Sequence, residues 1–119
     1  GIQEYESLWG HPVRGASFEG YVLEQILARI PTHIQPSFFR SHSGDELDLV
    51  LQFPNSFVAV EIKHTASPKL SAGFHRARKD LGIQKSYVIY PGTETFTMSE
   101  GVQAIPLISF LNMLDSQNI

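Results

Sequence analysis

The chain has 119 residues, 42% of them hydrophobic and 18% charged, the make-up of one soluble globular domain. It holds no cysteine, which excludes disulfides and thiolate zinc sites and suits a reducing compartment, so the expected location is the cytoplasm. No apolar run approaches the roughly 18 residues of a membrane span, and a net charge of −3 argues against a purely electrostatic nucleic-acid binder.

The charge is unevenly spread. Residues 1–61 carry eight acids and three bases, residues 62–93 six bases and one acid, and residues 94–119 three acids and no base. The basic segment reads either as an ordinary solvated helix face or as a local surface that attracts phosphates.

Residues 1–13 read as a loop, or as the remnant of an upstream segment, because the chain opens on glycine and Gly10 and Pro12 break regular structure. Tyr5, Leu8 and Trp9 would cap a core or meet that missing segment. The spacing predicts a helix over 15–30. At about 100° per residue, Phe18, Val22, Leu23, Ile26, Leu27 and Ile30 fall on one arc, and Pro31 ends it. Glu19 falls near the middle of that arc. A carboxylate there either has a partner or a metal, or it sits in the first turn with its head in solvent.

Residues 35–41 read as a short first strand and 42–45 as a turn. Residues 46–53 are a second strand, with Leu47, Leu49 and Leu51 on one face and Glu46, Asp48, Val50 and Gln52 on the other. Pro54-Asn55 turns the chain into Val58-Ala59-Val60-Glu61-Ile62-Lys63. Here Val58, Val60 and Ile62 share one face and Ala59, Glu61 and Lys63 the other. The Glu61–Lys63 pair reads as a surface ion pair or as half of an active site. A second helix is expected over 71–81 with Gly82 as its cap, and then a parallel strand over 85–90. Residues 94–98 and 102–105 read as short edge strands. A closing helix over 106–115 has Pro106 in its first turn. The whole is a single mixed α/β domain: an α-β-β-β-α-β core with a helix on each side of a central sheet, edge strands and a closing helix.

If the leucine face of the second strand packs on the first helix, Asp48, Glu61 and Lys63 lie on the far side, and Glu19 must reach them around the sheet's edge or through a local twist. Three carboxylates and one lysine gathered this way suit Mg²⁺ or Mn²⁺, hard ions that prefer oxygen ligands. Asp48, Glu61 and Glu19 would be the metal ligands, and Lys63 would orient water or neutralise developing charge. The histidines at 11, 33, 42, 64 and 75 lack zinc-ligand spacing, and His64 is expected to point away from Lys63 and to be structural.

With these residues in view, the chain resembles the PD-(D/E)XK nuclease superfamily. Asp48 stands at the family's strand aspartate and Glu61-Ile62-Lys63 at its (D/E)-X-K. Gly15 through Glu19 is similar to the first-helix G-X-X-X-E of Holliday-junction resolvases, and the segment from Arg40 to Gly44 to the stretch those enzymes carry before the aspartate. The blocks G-X-X-F-E-X-Y-V, F-R-X-X-X-G-X-E-L-D-L-V and V-E-I-K, followed by Gly101 and Pro106-Leu107, resemble the uncharacterised C-terminal domain of many prokaryotic AAA+ ATPases. That resemblance implies a restriction-endonuclease-like core, an ATPase module upstream, and phosphodiester hydrolysis on DNA by Asp48, Glu61, Lys63 and Glu19. Arg40, Ser43, Lys69, Arg76, Arg78, Lys79 and Lys85 would meet the nucleic acid. No phosphate-binding Gly-Lys loop is present, so ATP hydrolysis is not expected of this chain. The alternative is a non-catalytic adaptor that binds DNA or protein for the ATPase. Gln84 stands where some relatives carry a helpful glutamine, and also reads as a plain strand-edge residue.

Overall fold

The computed structural model describes residues 14–119, with side chains from Phe18 onward; the expectations for Tyr5, Leu8 and Trp9 lie outside the described residues. The elements run α1 (Arg14–Arg29), β1 (Gln35–Arg40), β2 (Glu46–Phe53), β3 (Ser56–Ile62), α2 (Ala72–Leu81), β4 (Lys85–Ile89), β5 (Phe96–Ser99), β6 (Val102–Ile105) and α3 (Leu107–Ser116). The α-β-β-β-α-β order expected from periodicity is therefore present.

All six described strands form one mixed sheet in the order β1-β2-β3-β4-β6-β5. β1, β2 and β3 are antiparallel neighbours, while β3, β4 and β6 run parallel. The α2 crossover from β3 to β4 makes that parallel pairing possible, because parallel neighbours cannot be joined by a tight turn. Of the two strands expected at the edge, β5 forms it and β6 lies inside, between β5 and β4.

Two apolar layers sandwich the sheet. On one face, Val22 and Ile26 of α1 and Phe110, Leu111 and Leu114 of α3 pack with Leu49, Leu51, Val58, Val60 and Ile62. Phe110 also meets the Tyr87 ring edge-on at 5.4 Å. On the other face, Phe74 and Ala77 of α2 pack with Val50, Ala59, Val88 and Val102. The Val58-Val60-Ile62 stripe thus faces α1, as its alternation requires.

The leucine stripe of β2 does not hold throughout. Leu47 belongs to the α2 face and Leu49 to the α1 face. The cause is a bulge. Ser37 pairs with Val50 but Phe39 pairs with Leu47, so Asp48 and Leu49 together stand opposite Phe38. The extra residue reverses the alternation at Asp48.

Helix ends follow local chemistry. The Ser71 hydroxyl accepts the Phe74 N–H at 3.1 Å at the start of α2. Gly82, at φ 68°, closes that helix, with the Ile83 N–H donating to the Arg78 carbonyl at 2.8 Å. Pro106 stands just before α3 as its cap residue rather than inside its first turn. No described helix is long and apolar enough to cross a membrane.

Candidate functional site

The regular β2–β3 ladder ends at Leu49 and Val60. One residue further on, the bulge has turned Asp48 out of register, and side chains take over the hydrogen bonding. The Ile62 N–H donates to Asp48 Oδ2 at 2.8 Å, and the Asp48 N–H donates to Glu61 Oε1 at 3.3 Å. Asp48 and Glu61 therefore sit side by side where β2 leaves β3. On the other flank β3 stays bound to β4, through the Lys63 N–H to the Ile89 carbonyl at 2.9 Å. The site lies at the carboxyl end of a parallel strand, next to the junction with the antiparallel half of the sheet. Open α/β sheets bind ligands at such positions.

A cleft of about 530 Å³ opens there. Its floor is Asp48, Glu61 and Lys63, and Glu19 of α1 lines it from another side. α1 begins at Arg14, so Glu19 lies in the second turn rather than the first, yet it is exposed, as the solvent-facing alternative expected. The bulge resolves the difficulty of bringing Glu19 to Asp48 and Glu61, which strict alternation sets on the far side of the sheet.

The electrostatics follow from crowding. Glu61 is buried, and burial followed by the Asp48 charge pushes its carboxyl up to about 7, against the opposing pull of the Asp48 N–H and Lys63. Lys63 Nζ stands 3.8 Å from Glu61 Oε2. Glu19, though exposed, is also raised, chiefly by partial loss of solvent and then by Asp48, with His64 and Lys63 pulling the other way. His64 thus lines the cleft rather than pointing away from it. β3 ends at Ile62, so strand alternation no longer governs residue 64. Among the described residues, no three His, Asp or Glu side chains form a group that could hold a metal ion by themselves. The Asp48–Glu61 pair is the close one, and Glu19 faces it across the cleft.

The rim carries an interaction the sequence did not reveal. Asp45 accepts two hydrogen bonds from Arg76, at 2.9 Å from Nε and 2.8 Å from an Nη. This bidentate pair clasps the β1–β2 turn to α2, and both Asp45 and Gly73 line the cleft. A Cβ on Gly73 would stand 2.9 Å from Asp45 Oδ1, so a side chain there would have to push the Asp45 carboxylate aside. The Arg76 bonds hold the Asp45 carboxyl below its usual range. Arg76→Ala is expected to lower the melting temperature near neutral pH. A carboxylate with a depressed pKa stabilises the fold above its unfolded pKa, so this loss should fade as acid protonates Asp45. Thermal melts across pH check it.

The residues expected on nucleic acid are scattered. Arg40 pairs with Glu46, and the Ser43 hydroxyl bonds that of Ser41 at 3.0 Å. Arg78 donates to the Gln84 carbonyl at 3.0 Å and lies over the Phe74 ring. Lys69 is exposed in the loop after β3, and Lys79 is exposed on α2. Lys85 pairs in register with Val58, four residues before Ile62 pairs with Ile89, so Lys85 stands at the opposite end of the sheet from Lys63. Gln84 precedes it and belongs to that end too, where a cleft of about 630 Å³ has no Asp or Glu in its lining.

Fold and site together define a mixed α/β domain with a carboxylate–lysine cleft at the end of a parallel strand. Residues 14–110 match DUF4143, a domain of unknown function, and the chain belongs to that family. Its curated relatives include an uncharacterised protein of Mycobacterium bovis and one of Mycobacterium tuberculosis. Each is 35% identical over 107 residues, covering 89% of this chain and 24% of the relative. The chain spans about a quarter of the length of these relatives.

Proposed function

We propose that this chain is a metal-dependent nuclease-like domain acting on DNA phosphodiesters, working in the cytoplasm as the C-terminal part of a longer AAA+ ATPase. One observation carries the reading. Asp48 and Glu61, an aspartate and the glutamate of a Glu-X-Lys run, lie side by side with Lys63 at 3.8 Å, and the same residue pattern underlies the resemblance to PD-(D/E)XK nucleases.

The donor set fits Mg²⁺ or Mn²⁺. Glu61, pushed up to about 7 by burial and by the adjacent Asp48 despite the Lys63 ammonium, would be relieved by a divalent cation shared between the two carboxylates. Their oxygens suit a hard ion, and magnesium commonly takes only one or two protein carboxylates and fills its shell with water and substrate phosphate. Asp48 and Glu61 would hold the ion, with Glu19 supporting it across the cleft. When bound, it would supply Lewis acidity to a phosphoryl oxygen and an acidified water. Lys63 would donate to the attacking water or to the charge that builds on the phosphorus oxygens. The Ile62 N–H fixes the Asp48 carboxylate, and the Asp48 N–H fixes Glu61. Both side chains are thus oriented before a substrate arrives.

The test is a Mn²⁺ titration of thermal stability, run beside cleavage assays on nicked and branched DNA. Wild type should gain stability by mass action, about 2.7 kcal/mol at a hundred times the dissociation constant. Asp48→Asn keeps an oxygen acceptor for the Ile62 N–H but should lose both the gain and cleavage. The adaptor reading draws on a different observation, the want of a ready-made three-ligand group among the described residues. In that reading Asp48 and Glu61 are a proton-sharing structural link. A melting temperature indifferent to Mn²⁺, with every DNA left intact, would select it.

A further inference from the structure

We infer that the groove beside the acid cleft is a subsite for an unpaired nucleotide, with Phe38 as its stacking surface, so that the strand acted on is single-stranded DNA or a single-stranded flap. The inference rests on the nuclease reading above and names its substrate class.

The groove, about 470 Å³, shares Glu19, Glu46, Asp48 and Ile62 with the acid cleft. Its size falls in the range of small-ligand sites. A strand with its phosphate at Asp48 and Glu61 would place a neighbouring nucleotide in it. Phe38 lines this groove and is 70% exposed, the most exposed of the large apolar side chains described. Its position follows from the edge strand. Phe39 packs against the α2-side core, so Phe38 turns to the opposite face, where Leu23 and Glu19 of α1 line the same groove.

The charges point the same way. Duplex binding rests on many lysine and arginine contacts to phosphate. Among the described residues, Arg40 is paired with Glu46, Arg76 with Asp45, and Arg78 with the Gln84 carbonyl. Lys85 lies at the far end of the sheet. Lys63 lines the cleft, and Lys69 and Lys79 are exposed outside its lining, three lysines that are few to hold a duplex against an acidic rim. Stacking on an aromatic face needs no such charge, and it works only on a base that is free of its partner.

The test uses the native full-length protein carrying Lys63→Ala, with Mg²⁺ present. The probe is a short oligo-dT with one 2-aminopurine, offered as a single strand and as a blunt duplex. The single strand should bind at least about tenfold more tightly than the duplex, with 2-aminopurine emission quenched. Phe38→Ala should weaken single-strand binding about 5- to 140-fold, while Phe38→Trp retains it and duplex affinity is unchanged. Equal affinity for strand and duplex, or unaltered binding by Phe38→Ala, overturns the subsite. A fall of many degrees in the melting temperature of Phe38→Ala also overturns it, because the ring is then packed against another part of the protein. The two readings fail separately. Phe38-dependent binding without cleavage by wild type removes the nuclease and keeps the subsite, and cleavage indifferent to Phe38 does the reverse.

Discussion

Glu61→Gln should make the metal-free protein more stable near pH 8 and leave it almost unchanged near pH 4. The folded state raises the Glu61 carboxyl from 4.5 to about 7. It therefore holds this proton more tightly than the unfolded chain does, and the extra binding favours folding fully only below about pH 4.5. As pH climbs from there to about 7, the unfolded chain gives up its proton first, and stability drains away. At 1.36 kcal/mol per pKa unit the loss is on the order of 3 kcal/mol. Glutamine keeps the shape without the charge and escapes it. For a chain of this length the gain near pH 8 corresponds to roughly 10 °C in melting temperature. Thermal melts at both pH values, with EDTA present, check it. Adding Mn²⁺ near pH 8 should close the gap from the wild-type side, since the ion neutralises the repulsion that glutamine removes. Equal melting temperatures near pH 8 would mean that Glu61 titrates as an ordinary exposed carboxylate.

That strain was partly legible in the sequence. The alternation of Val58, Val60 and Ile62 placed Glu61 and Lys63 together on the opposite face of a buried strand, and the spacing of Val22 and Ile26 identified the buried stripe of α1. The bulge at Asp48 was not legible. Leu47, Leu49 and Leu51 alternate without a break, and both faces of the sheet are covered by helices, so leucine is at home on either. Apolar pattern reports register only where one face is wet. The consequence is large, because the bulge is what brings Asp48 into the cleft that Glu19 lines.

The Asp45–Arg76 clasp escaped for another reason. An aspartate after Ser43-Gly44 reads as a solvated turn residue, and its partner lies 31 residues away on α2. Only the crossover geometry joins them. The same geometry separates Lys85 and Gln84 from the cleft. They follow the basic helix closely in sequence, yet a parallel crossover returns the chain to the start of β3, so both sit a full strand length from Lys63. The basic run from Lys63 to Lys85 is thus several separate things. It includes one cleft lysine, one clasp, one arginine over Phe74 and three exposed lysines.

Lys63→Ala separates chemistry from architecture. The lysine sits one residue past β3, and its backbone N–H is tied to Ile89, so alanine keeps the backbone in place. Its ammonium is half-buried and 3.8 Å from Glu61, a distance too long for a strong hydrogen-bonded pair. Loss of this pair should cost the fold no more than about 1 kcal/mol. The same ammonium has more to do in a transition state, where charge on the phosphoryl oxygens rises while the surrounding carboxylates stay fixed. Removing one such preorganised donor lowers turnover about 10²- to 10³-fold in enzymes that depend on it. Lys63→Ala should therefore melt within a few degrees of wild type and keep its Mn²⁺ response, yet cut nicked or branched DNA at least about a hundredfold more slowly. Lys63→Arg should fall between them, since the charge is retained but a planar fork replaces a compact ammonium. Cleavage by Lys63→Ala at the wild-type rate would remove the lysine from the chemistry, and with it the reason for reading Glu61-Ile62-Lys63 as a catalytic run rather than as the end of a buried strand.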